Sequence, residues 1–244
     1  MRRLIHATRF SVTSLLSLVF FASASTALGS TVFSNTTAIS IPATSGTSDP
    51  YPSQIAVSGM VGTLTDVSVM INGWTSANPG DLYFLLTGPG GQALDFMGDV
   101  GSTHSITNLN VRLTDSAGVA LTSNQIVSGS FLPTVLGSSC PAFPAPAPSS
   151  IDCAAPEGTT TFTNLFTGLD PDGTWSLYIL DDTAGDTASA IGGGWSLIVD
   201  STGGFVPPPP SVPEPSGLVL IGLAMGVAGL HRAVGRRSAH PSQR

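Results

Sequence analysis

Through the middle of this chain apolar residues alternate with polar ones, and nowhere there do they recur at sustained helical spacing. Val67, Val69 and Ile71 alternate, as do Leu109, Val111 and Leu113. Runs of period two place one set of side chains on one face of a strand. Leu82-Tyr83-Phe84-Leu85-Leu86 is a short apolar run bounded by Asp81 and by Gly88-Pro89-Gly90-Gly91. With 28 glycines and 19 prolines to make turns, residues 30–204 are expected to form an all-β domain, most economically a two-sheet β-sandwich.

Both ends of the 244 residues read differently. Met1-Arg2-Arg3 opens a basic stretch reaching Arg9, followed by the apolar run Leu15 to Phe21 and the small residues Ala22-Ser23-Ala24. This is the pattern of a secretory signal peptide, assigned to residues 1–29, with cleavage also conceivable after Ala27 or Gly29. At the other end Pro207 to Pro210 form a stiff spacer within a linker assigned to 205–211. Val212-Pro213-Glu214-Pro215 follows, then an apolar run from Gly217 to Leu230, then Arg232, Arg236 and Arg237. A helix over that run spans roughly 21 Å at about 1.5 Å per residue, a short membrane span whose arginines stay on the cytoplasmic side.

The charge distribution excludes one class of partner. Lysine is absent, and Arg112 is the only basic residue between the two ends. It faces 14 acidic residues, so the middle of the chain has a net charge of −13. Nucleic acid, which needs a basic surface, is not expected as a partner. Thirteen of the 15 acids are Asp, and a cation is the more natural ligand. Asp81, Asp99, Asp115, Asp181, Asp182 and Asp186 fall at turns beside strands. Asp81, Asp99, Asp181 and Asp182 are the candidate ligands of a structural Ca²⁺, with short carboxylates and loop carbonyls as oxygen donors. No Asp-x-Asp-x-Asp-Gly loop is present, so such ligands would converge from separate loops. The same acids also serve, without any ion, to keep an exported domain soluble.

An internal echo marks two further strands. Gly173-Thr174-Trp175-Ser176-Leu177 recurs as Gly193-Gly194-Trp195-Ser196-Leu197, each opening an alternating run, with Asp181 to Asp186 between them. Both tryptophans are expected on inward faces. The only cysteines, Cys140 and Cys153, lie in a Pro-, Ala- and Ser-rich stretch over 121–160. Two cysteines in an exported chain pair as a disulfide. Here the bridge is expected to staple an insertion outside the core.

The residues needed for familiar catalytic chemistry are missing. His104, in Gly101-Ser102-Thr103-His104-Ser105, is the one histidine of residues 30–204 and reads as a loop residue. There is no Gly-x-Ser-x-Gly, phosphate loop or His-Glu-x-x-His. The absence of lysine excludes Schiff-base chemistry. The expectation is a protein that is not an enzyme.

Two resemblances sharpen this reading. The segment 212–244, with its Pro-Glu-Pro motif, short apolar run and terminal arginines, resembles the PEP-CTERM sorting signal. That resemblance implies an exosortase-type membrane protease as partner, contact with the inner membrane through the tail, and the envelope, surface or extracellular matrix of a Gram-negative bacterium. It also implies a link to extracellular polysaccharide. The blocks Asp81-Leu82 with Gly88-Pro89-Gly90-Gly91, Asp170-Pro171-Asp172-Gly173-Thr174-Trp175 and Gly193-Gly194-Trp195-Ser196-Leu197 resemble the P domain of proprotein convertases, also called P/Homo B. This implies a jelly-roll-like sandwich that stabilises or binds and does not catalyse. The chain departs from that family in having Trp74-Thr75 in place of His-Thr, and in the 121–160 insertion. The expected function is a non-catalytic surface or matrix module that binds polysaccharide or another surface protein. The alternative is an accessory subunit docking on a separately encoded secreted subtilisin-like protease.

Overall fold

The alternating runs become strands. The computed structural model describes residues 29–137, 139–184 and 188–207. The signal peptide up to residue 28 and the sorting residues Val212, Pro213, Glu214, Pro215, Arg236 and Arg237 lie outside the described residues, as does Asp186. In chain order the strands are β1 Thr31–Asn35, β2 Ile39–Ile41, β3 Gly46–Thr47, β4 Ser53–Val57, β5 Leu64–Ser76, β6 Leu82–Thr87 and β7 Ala93–Gly98. They continue as β8 Ile106–Thr114, β9 Gly129–Phe131, β10 Thr134–Val135, β11 Asp152–Cys153, β12 Gly173–Asp181, β13 Ser189–Ile191 and β14 Trp195–Ser201. Among the described residues one short helix, α1 (Phe162–Phe166), and one 3-10 turn (Pro79–Asp81) interrupt them.

Two mixed sheets pack against each other. In the first, the long β5 carries β14 and β13 along one side and β8 along the other, with β1 outside β14, β2 outside β13 and β9 outside β8. The second runs β7, β6, β12, with β10 and β11 on the outer side of β7 and β3 and β4 on the outer side of β12. The predicted alternation in β5 is kept: Val67, Val69 and Ile71 are buried, and Val69 and Ile71 oppose Leu113 and Val111 of β8. These facing rows form the sandwich interior.

The two echo strands do not pair with each other. β12 belongs to the second sheet and β14 to the first, so the echo marks one strand in each layer. Both tryptophans are fully buried, as expected. Trp195 reaches across the layers, its indole N–H donating to Ser53 Oγ of β4 at 3.0 Å. Trp175 donates to the Pro171 carbonyl at 3.0 Å. An unbroken row of aromatic contacts, Trp74–Phe84–Phe96–Phe162–Phe166–Trp175, runs through the interior with centroid separations of 5.1–6.4 Å.

That row explains helix α1, which sequence periodicity does not reveal because five residues are too few to show it. Thr161 caps α1, accepting from Asn164 N at 3.2 Å, while Asn164 Oδ1 accepts from Thr161 N at 2.7 Å. Asp115 accepts from the free amides of Phe162 and Thr163 at 3.3 and 2.7 Å. The turn thus drives Phe162 and Phe166 into the core.

The segment over 121–160 is woven into the fold, contrary to the expectation of an insertion outside it. β10 and β11 both pair in parallel with β7, and β9 with β8. β6 and β7 are buried along their whole lengths, which an antiparallel sheet achieves only when both faces are covered. The outer cover is the proline-rich stretch. Phe143 and Ala154 are buried in it, and its Pro144 and Pro146 carbonyls accept from the hydroxyls of Tyr51 and Tyr178 at 2.9 and 3.5 Å. The Cys140–Cys153 disulfide is formed and belongs to this cover. At the other boundary the folded part runs past residue 204: Val206 N donates to Gly59 O at 2.8 Å, and Phe205 meets Phe33 edge-on.

Candidate functional site

Antiparallel pairing decides where the predicted acids go. β6 starts where β7 and β12 end, since Tyr83 opposes Gly98 and Leu82 opposes Asp181. Asp81, Asp99, Asp181 and Asp182, far apart in sequence, therefore share one end of the second sheet. The backbone ties the three chain segments together: Asp182 N donates to Asp81 O at 3.0 Å and Asp99 N to Leu82 O at 3.2 Å.

The four residues are not equivalent. Asp181 is buried and accepts from Thr183 N at 3.1 Å. Asp81 accepts from the Asn78 side-chain amide. Asp182 is exposed and accepts from Thr183 Oγ1 at 3.0 Å. Asp99 has φ 55, a left-handed conformation that Asp tolerates better than most residues. Its carboxylate lies against the backbone of Gly137, where an added Cβ would fall 2.9 Å from Oδ2. Burial, then the charges of Asp182 and Glu157, push the Asp99 carboxyl above its ordinary value. Burial, then the charges of Asp99, Asp182, Asp95 and Glu157, push the Tyr83 hydroxyl up to about 12. Glu157 and Tyr83 thus belong to this end, although no motif or spacing marks them in the sequence.

Among the described residues, the one group of three carboxylate, imidazole or sulfur ligand atoms within 4.8 Å of one another lies elsewhere: Asp95, Cys140 and Cys153. The acids at the sheet end are gathered on neighbouring loops without closing to that distance. Asp95, which no motif or spacing marks in the sequence, sits on β7 beside the disulfide. It is fully buried, and neither carboxylate oxygen has a hydrogen-bond partner. Burial raises its carboxyl well above the ordinary value, and the Met97 and Phe84 backbone amides oppose that shift without overcoming it.

The turns over 88–91 and 170–173 meet at the opposite end of the second sheet. Gly173 has φ 134, and a Cβ there would fall 2.5 Å from Pro89 Cβ, so the two turns pack directly. A cleft of ≈ 250 Å³ beside them is lined by Pro89, Gly90, Gln92, Leu169, Asp170 and Asp172. Asp172 is committed to structure: its two oxygens accept from Gly59 N and Met60 N at 3.0 and 3.1 Å. His104 is exposed, and its Nδ1 donates to the Gly101 carbonyl at 3.0 Å. A second cavity, of ≈ 570 Å³, is lined by Gly29, Ser30, Thr65, Asp200, Ser201 and Thr202. Compared with protein-family models, with curated proteins and with solved structures, the chain gives no match.

Proposed function

We propose that the chain is an exported, non-catalytic envelope module: a jelly-roll-like β-domain of the P-domain type, displayed outside the cell and delivered by its PEP-CTERM tail. The observation that carries this reading is how the polar residues are used. His104 is held by a backbone carbonyl, Asp172 and Asp115 hold backbone amides, and both echo tryptophans are core residues. Each of these groups makes a hydrogen bond to backbone or packs in the core. The exposed surface is acidic and built on a rigid sandwich, which suits contact with extracellular polysaccharide or with another surface protein. The exosortase-type protease recognises Val212 to Pro215, and the arginines after the apolar run hold the precursor in the inner membrane.

Fractionation of cells, membrane and extracellular polysaccharide with an antibody to residues 30–206 tests this. The mature form is expected with the polysaccharide or the outer surface. Changing Pro213, Glu214 and Pro215 together to alanine is expected to leave a longer form in the inner membrane. An unchanged mass and location for that variant would remove the sorting assignment. Copurification with a subtilisin-like protease would replace the module reading with that of an accessory subunit.

A structural Ca²⁺ at the Asp81, Asp99, Asp181 and Asp182 end is the second element of the proposal. It rests on three segments bringing hard oxygen donors to one place in a domain of net charge −13. Millimolar calcium should raise the melting temperature through linkage, and Asp182→Ala, an exposed change, should abolish the rise. An equal rise with magnesium at matched ionic strength would reduce the effect to screening.

A further inference from the structure

Asp95 lacks a structural explanation. A buried carboxyl without a hydrogen bond costs folding free energy, and an apolar side chain at the same place on β7 would avoid that cost. Yet the position is tightly specified. Asp95 pairs in register with Cys153 of β11, and Ala154 N donates to the Asp95 carbonyl at 3.0 Å. This sets the side chain beside the bridge, with carboxylate oxygen and both sulfurs within 4.8 Å. Cys140 and Cys153 are half-buried, whereas Asp95 beside them is fully buried.

We propose that Cys140–Cys153 is a reducible disulfide with Asp95 as its proton donor, a thiol–disulfide exchange site for a dithiol reductant. The inference does not rest on the surface-module reading. A thiolate of the reductant attacks one sulfur of the bridge. The S–S bond breaks, and its electron pair passes to the other cysteine sulfur. That thiolate forms beside a fully buried group, where a bare charge is poorly solvated. The Asp95 carboxyl gives it a proton, directly or through one water, and is reprotonated from solvent. The second thiolate of the reductant then attacks the mixed disulfide, closing the reductant's own disulfide. The remaining cysteine leaves as a thiolate and takes a proton from solvent. Two electrons pass from the dithiol to the bridge, and two protons accompany them. Opening the bridge loosens the proline-rich cover and gives access to the outer face of the second sheet.

The surroundings favour a protonated donor. Burial lifts the Asp95 carboxyl, so it keeps its proton where exposed aspartates have lost theirs. The titratable groups on the neighbouring elements include Asp81 before β6 and Tyr83 on it, Asp99 after β7, Asp152 and Glu157 at and beyond β11, and Asp181 and Asp182 at and after the end of β12. Tyr83 stays neutral, pushed up to about 12, and the others are acids. Arg112, the basic residue of residues 30–204, lies in the first sheet and donates to Ser68 Oγ at 2.9 Å.

The test is the rate of reduction of the oxidised full chain by dithiothreitol, read by alkylation and mass, from pH 5 to 9 and divided by the thiolate concentration. The wild-type quotient is expected to hold a plateau at low pH and to fall through a one-proton inflection above the ordinary carboxylate range. Asp95→Asn is expected to lower the plateau by about tenfold or more and to remove the inflection. A change in packing or access alone would shift the rate without altering the pH profile. A wild-type quotient flat across the range overturns the proposal whether or not the variant folds. So does an Asp95→Asn profile that keeps the inflection.

Discussion

Trp195→Ala should lower the stability of the domain by about 3–5 kcal/mol, the usual cost of removing a buried tryptophan. For a domain of this size each kcal/mol corresponds to roughly 2–4 °C, so the melting temperature should fall by ~6–20 °C. The loss has two sources. Trp195 is fully buried on β14, opposite Ile71 of β5 and Asn35 of β1, so its removal opens a cavity inside the first sheet's packing. Its indole N–H also satisfies Ser53 Oγ, itself buried on β4 of the other sheet. Ser53 retains only the 3.3 Å bond donated by Asn35. Trp195 is therefore a pin between layers, and Trp195→Phe should recover much of the packing but not the bond. Thermal unfolding followed by circular dichroism would decide. A tryptophan serving as a ligand platform would give an unchanged melting temperature on truncation and lost binding instead.

The same residue shows what the sequence does and does not carry. The alternation around Trp175 and Trp195 is a local property, set by strand pleat, and it correctly announces inward-facing side chains. Which sheet each strand joins is not local. It depends on partners more than 100 residues away, such as Asn35 beside Trp195 and Ile55 beside Trp175. The echo alone suggests two strands joined by an acidic loop, whereas the chain inserts β13 and changes layers between them.

The cover over the second sheet was hidden for a related reason. Proline-rich sequence has no strand period, so residues 136–156 look peripheral. Their contribution lies in single anchors, Phe143, Ala154 and two carbonyls that engage Tyr51 and Tyr178. The acids were legible as turn residues, and antiparallel pairing gathers Asp81, Asp99, Asp181 and Asp182. Asp95 was not legible. In Leu94-Asp95-Phe96 it looks like the solvent-facing member of an alternating strand, and only the cover turns that face into an interior.

Burial of Asp95 should make the pH dependence of stability run opposite to that of most proteins. A carboxyl whose folded-state value is raised binds its proton more tightly in the folded state than in the unfolded one. Its contribution to stability is fully present below the unfolded value, about pH 3.9, and is lost as pH rises through the raised folded value. Asp66 and Asp99 are also raised, first by burial and then by neighbouring acids, and they act in the same direction. With Arg112 the only base among residues 30–204, few carboxylates have a cation to lower them. The oxidised domain should therefore be more stable in mild acid than at neutral pH. Asp95→Asn isolates one term, because the other carboxylates are common to both proteins. At pH 7 the variant should be more stable by about 1–3 kcal/mol, because the wild-type carboxyl ionises freely in the unfolded state and not in the folded one, and each unit between the two values is worth about 1.4 kcal/mol. The difference should shrink as pH falls towards the unfolded value and level off below about pH 3, where the wild-type carboxyl is neutral in both states. Denaturant unfolding of the two proteins at a series of pH values measures that difference directly. A gap independent of pH would mean that Asp95 does not titrate with folding. A variant that is less stable at pH 7 would mean that the carboxylate has a partner in solution and is not the unspent acid that its buried, unbonded position implies.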